Sequence, residues 1–322
     1  MAETLTPVET GGTTLPGVRV VTATAVCLIA YSHLFGLWPN RHGHDSELVV
    51  VIRSWVNQPT GIGEDFGFLG VALLLLAAGY AVAGVDRWSV AVRLLRRVVP
   101  AVVCAVLVGA LLSLVGAEPL TDAAVTTPVA AAALAGLLVL ALRPVERGAP
   151  WLAVLVQLEI TCVLVMAGGW AAGAGGPDVL RLLGLVGALL PLTALGQVAW
   201  QVRAGRLTAA RGVGLGLLAV VVLVLADGMA PDLAGYWHPL GGVLALLLFL
   251  IALPRGAALA STRPVRWLSS RAVPLYASVP VVGYAVTGVL ANGVPLLLAL
   301  LLGTVCAGGA AEALHRGSEK VA

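Results

Sequence analysis

A lone histidine, His33, sits inside the apolar run from Val20 to Trp38. An ionisable group is expensive to keep in lipid, so such a residue is a candidate functional group by default. A neutral imidazole can take a proton from a hydroxyl, which makes His33 a candidate general base. It can equally be a histidine bonded to a neighbouring helix, or one close to the interface. Further along, Gly67-Phe68-Leu69-Gly70-Val71 opens an apolar stretch that reaches Gly79-Tyr80, and Arg93-Leu94-Leu95-Arg96-Arg97-Val98-Val99-Pro100 follows. Arg93, Arg96 and Arg97 have i, i+3, i+4 spacing and share one face of a cationic helix, expected to end at Pro100. Their forked guanidiniums can clamp phosphates. Lipid headgroups, or the inward bias of positive charge alone, account for them as well. Glu159, near Gln157, is the acid placed well inside an apolar span, where it needs a partner or a proton. Arg19 stands at the start of the first span and can snorkel to the interface.

These residues need apolar elements to hold them. The chain is 59% hydrophobic and 11% charged, with a mean hydropathy of +0.99. A soluble fold of 322 residues cannot hide that much apolar surface. Apolar windows near twenty residues long indicate an all-α, polytopic membrane bundle, and the alternation of a membrane β-barrel is missing. About ten spans are expected, at 17–38, 66–85, 98–116, 123–142, 151–173, 179–200, 212–230, 236–254, 272–291 and 294–313. Residues 1–15 read as a disordered cytoplasmic tail without the basic n-region of a signal peptide. Residues 16–315 read as a single transmembrane domain, and 316–322 as a second cytoplasmic tail. No internal repeat is evident, which argues against an inverted-repeat transporter.

With both termini inside, sixteen basic residues fall in inner segments and three (Arg41, Arg53 and Arg181) outside. That asymmetry sets the orientation. A net charge of +3 gives no reason to expect nucleic acid as a partner. Cys27, Cys104, Cys162 and Cys306 all lie in apolar spans without a CxxC pair and read as small hydrophobes. The loop Arg41-His42-Gly43-His44-Asp45 is too weak a pattern for a metal site. His238 reads as interfacial, and His315 carries no signal.

Taken together, these motifs resemble the integral-membrane acyltransferase-3 family. Val26-Cys27-Leu28-Ile29-Ala30-Tyr31-Ser32-His33 looks like the family's apolar run ending in its catalytic histidine. Gly67-x-x-Gly70-Val71 through Gly79-Tyr80 follows its G-x-x-G-V…S-G-Y spacing, with Ala78 at the serine. Arg93 through Pro100 is similar to its R-x-x-R…P helix. Weaker echoes are Trp151-Leu152…Gln157 and Trp267-Leu268…Tyr276. The specific part spans residues 19 to 100. Four positions depart from the pattern. Thr22 stands at the usual arginine, with Arg19 one turn earlier. Ala72 replaces an acid. Leu155 replaces a glutamate, with Glu159 one turn later. Val279 or a neighbour stands at a late histidine.

The resemblance implies a divergent O-acyltransferase of the cell inner membrane. His33 would be the base, with Arg19 and Glu159 as catalytic partners. Arg93, Arg96, Arg97 and Tyr80 would hold acyl-CoA as the donor. The acceptor would be a hydroxyl on a sugar, glycan, lipid or small molecule. Direct attack on a thioester needs a base and a polarised carbonyl, so neither a metal nor a resident cofactor is implied. The alternatives are a protein that kept the helices and lost the chemistry, and a transporter or flippase of an amphipathic molecule.

Overall fold

The structure is a computed structural model, and it describes residues 15–43, 47–52, 54–55, 66–85, 88–114, 116–120, 123–229 and 237–321. The tail 1–14 and the residues His44 and Asp45 lie outside them. The described residues form helices and no strands. In chain order these are α1 (Pro16–Arg41), α2 (Glu47–Ile52), α3 (Gly67–Ala83), α4 (Trp88–Leu114), α5 (Ala123–Ala141), α6 (Arg143–Gly148) and α7 (Pro150–Ala174). They continue with α8 (Asp178–Arg203), α9 (Ala209–Met229), α10 (Trp237–Arg255), α11 (Ala257–Ala260), α12 (Arg263–Ser270), α13 (Ala272–Ala291) and α14 (Leu296–Val321). Seven are long and apolar enough to cross a membrane, and the shorter apolar stretches Gly67–Ala83, Val103–Leu114 and Val125–Ala141 accompany them. The protein is an all-α, multi-pass membrane protein.

Two boundaries differ from the sequence reading. The cationic helix does not end at Pro100, which lies inside α4. A proline lacks one donor, and neighbouring helices and local adjustment compensate for that loss within a bundle. Residues 316–321, expected as a tail, continue α14.

α8 is the axis of the bundle. It packs on α7, α3, α9 and α5, and it is buried almost continuously from Val186 to Val198. Glycines permit the closest crossing. A Cβ on Gly79 would overlap the Thr193 carbonyl oxygen, and one on Gly196 would overlap the Leu76 carbonyl oxygen. Here α3 and α8 meet backbone to backbone, as small residues allow between membrane helices.

α1 and α13 each contain a π-wound stretch, Tyr31–Leu37 and Val279–Gly283. The Trp38 N–H bonds to the His33 carbonyl five residues back, and the Tyr284 N–H bonds to the Val279 carbonyl. Proline explains the widening. Pro39 follows the first stretch and Pro280 opens the second, and neither can donate to the carbonyl four residues earlier. The two stretches pack against each other. The Leu120 N–H bonds to the Pro280 carbonyl at 2.9 Å, and the Tyr276 hydroxyl donates to the Val125 carbonyl at 2.8 Å. These bonds tie the widened part of α13 to the entry of α5.

Candidate functional site

His33 lies within the π-wound part of α1 and is 6% exposed. Its Nδ1 is buried without a hydrogen-bond partner among the described residues. Buried polar atoms are nearly always paired, and exceptions concentrate where a ligand, water or reaction supplies the partner. π-turns also concentrate at functional sites. The neighbours of this stretch are the start of α3, the widened part of α13, and α14. Gly67 packs closely there, since a Cβ would meet the Ser32 hydroxyl beside His33 and force it to turn aside. Leu34, Trp38, Tyr276, Val279 and Tyr284 form an apolar wall on the α13 side.

The other expected site residues do not gather around His33. Arg19 is fourteen positions earlier on the same helix, about 21 Å along its axis at 1.5 Å per residue. It lies at the end where Gly17 packs on Ala252, Leu253 and Gly256. Glu159 is exposed on α7, a helix that packs on α8, α9 and α6. The one-turn shift from Leu155 to Glu159 takes the side chain from a half-buried to an exposed position on α7. Tyr80 is 5% exposed in the central core, with its ring edge-on to Phe249 at 5.7 Å. α3 packs on α1, α5, α8 and α10, whereas α4, which carries the arginines, packs on α13 and α14. Tyr80 therefore belongs to the core beside α8. The side chains of Arg93, Arg96 and Arg97 lie outside the described residues, and their backbone is helical.

The arginine helix and His33 are linked through α13. The widened stretch Val279–Gly283 touches both α4 and the π-wound part of α1. Beside it, an apolar groove of about 250 Å³ opens between α4, α13 and α14.

Among the polar clusters that escaped the sequence reading are those of His238 and of Glu146. His238 Nδ1 lies 3.1 Å from the Asp227 carboxylate, and its ring meets Phe68 edge-on at 4.5 Å. Glu146 is 2% exposed and accepts from Arg143 Nη1 at 2.6 Å and Gln201 Nε2 at 3.2 Å. Arg206 approaches the same carboxylate at 3.8 Å, and its guanidinium lies 4.8 Å from the Trp200 ring. Arg143 also donates to the Ala83 carbonyl at 3.1 Å and to the Val85 carbonyl. The i, i+3 spacing of Arg143 and Glu146 was the visible signal for this cluster. The pairing of Asp227 with His238 crosses from one helix to the next and leaves no such periodicity.

A scan against protein-family models, a search of curated proteins and a search of solved structures each find no match for this chain.

Proposed function

We propose that the protein is a membrane-embedded O-acyltransferase. It moves an acyl group from acyl-CoA to a hydroxyl of a sugar, glycan, lipid or small molecule. The observation that carries this reading is the buried, unpartnered Nδ1 of His33 in a π-wound helix segment. Its support is the shared neighbour, α13, between that segment and the helix bearing Arg93, Arg96 and Arg97.

In this mechanism His33 takes the proton of the acceptor hydroxyl as the oxygen attacks the thioester carbon. A C–O bond forms, the tetrahedral centre collapses, and the C–S bond breaks. The thiolate leaves with the proton held by His33, giving an ester and free CoA. The arginine positions of α4 hold the donor phosphates. If the three shorter apolar stretches cross beside the seven long ones, the charge bias of the loops favours both termini on the cytoplasmic side of a bacterial inner membrane. That arrangement has the donor bound from inside and favours transfer across the bilayer.

The test is binding of free CoA to purified protein at fixed salt, wild type against Arg93/Arg96/Arg97→Ala. Binding that the triple change abolishes supports the donor site. A folded wild type that binds no CoA refutes it. A second reading, a protein with these helices and no transfer chemistry, is favoured by the outward Glu159 and by the axial distance of Arg19 from His33.

A further inference from the structure

We infer that the groove between α4, α13 and α14 is a binding slot for the hydrocarbon chain of an acyl-CoA donor, which makes the preferred substrate a medium-chain acyl-CoA rather than acetyl-CoA. The inference rests on the acyltransferase reading and extends it to the class of donor.

The groove is lined by Cys104, Ala105 and Val108 of α4, by Ala277, Ser278, Val281 and Val282 of α13, and by Ala310, Ala313 and Leu314 of α14. Its walls are apolar. The one hydroxyl among them, Ser278, is turned into the protein and donates to the Ala307 carbonyl at 2.9 Å. A site without donors or acceptors stays dry and takes apolar ligands, and an apolar cavity of about 150 Å³ already accepts benzene. At about 250 Å³ this groove holds a longer hydrocarbon. Alanines create the space, because Ala105, Ala277, Ala310 and Ala313 carry a single carbon where larger side chains would close the gap. Of its lining, Val108 is 38% exposed.

The register of α4 selects the occupant. At 100° per residue, the groove positions 104, 105 and 108 span an arc about 100° wide, with position 97 inside it and position 93 about 20° beyond its edge. Two of the three clustered arginines therefore share the groove's face of the helix. Position 97 precedes Cys104 by seven residues, roughly 10 Å or two turns. An apolar trough about two turns from two cationic positions suits a ligand that carries phosphates and, beyond a linker such as the pantetheine arm of CoA, a hydrocarbon chain. Two of its wall residues, Val281 and Val282, belong to the stretch Val279–Gly283 that packs against the segment bearing His33. A chain lying in the groove brings its carbonyl end to the element that both sites share.

Cys104 reports occupancy directly. With Cys27, Cys162 and Cys306 changed to Ala, alkylation of Cys104 by a small lipophilic reagent is followed in nanodiscs of one lipid composition. Free CoA, acetyl-CoA and octanoyl-CoA are compared as protectants, and the same three ligands are titrated onto wild type and Ala310→Phe. Octanoyl-CoA is expected to slow alkylation at least on the order of tenfold and to bind at least on the order of tenfold more tightly than free CoA, since burial of two methylenes at about fourfold each already supplies that factor. Ala310→Phe is expected to remove that advantage and leave free CoA binding unchanged. Equal binding of CoA and octanoyl-CoA without protection overturns the chain slot and leaves the donor site standing. Protection by bilayer lipid alone, with nothing added by octanoyl-CoA, also overturns it. Absence of all CoA binding overturns the acyltransferase reading itself, and the slot with it.

Discussion

The imidazole Nδ1 of His238 lies 3.1 Å from the Asp227 carboxylate, joining the end of α9 to the start of α10. Asp227 holds the ring in one orientation and leaves the second nitrogen to face elsewhere, the arrangement by which carboxylates orient histidine bases. A double-mutant cycle of His238→Ala and Asp227→Ala is expected to give a coupling of about 1 kcal/mol in thermal unfolding. Strictly additive losses would show that the contact contributes nothing. The same variants locate the base. Transfer should survive His238→Ala, and its loss there would move the chemistry from His33 to this pair.

His33→Ala and His33→Gln are each expected to lower acyl transfer by about 10²- to 10⁴-fold, the usual contribution of a general base. Elution volume and helical circular dichroism should not change. An active His33→Gln enzyme would dismiss the histidine as base.

Glu146→Ala should cost about 1–3 kcal/mol, because it removes the carboxylate partner of the part-buried Arg143. The midpoint of thermal unfolding in detergent measures the loss. Arg143 would retain only its carbonyl partners at Ala83 and Val85. An unchanged midpoint would show that water reaches this cluster.

Glu159→Gln should leave transfer within about twofold of wild type, since the carboxyl faces outward from α7. A loss beyond tenfold, measured as initial rate at saturating acyl-CoA, would return Glu159 to the site.

Gly79→Val should abolish folded protein, because the new side chain runs into the Thr193 carbonyl where α3 crosses α8. Gly136→Ala is the control. Nothing lies within 4 Å of its added carbon, and helix propensity favours alanine by up to about 1 kcal/mol. Folded yield after detergent extraction separates the two.

The amino-acid sequence by itself determined that this is a helical membrane protein, and approximately where its long helices run. Apolar windows are local and additive, so α1, α3, α5 and α7 to α10 begin and end within a few residues of the spans read from hydropathy. The lone histidine in an apolar run was legible for the same reason. Tertiary structure decided which polar groups meet. Spacing placed Glu159 one turn from an expected position, but helix packing turned it outward. It set Tyr80 beside the arginines along the chain, whereas α8 draws Tyr80 into the core and α13 and α14 take up α4. The π-wound stretches depend on prolines 39 and 280 together with the contact between α1 and α13. The pairs Asp227–His238 and Glu146–Gln201 join side chains on different helices. Such pairings arise from helix order in space, and hydrophobic periodicity along one helix contains no record of its neighbours.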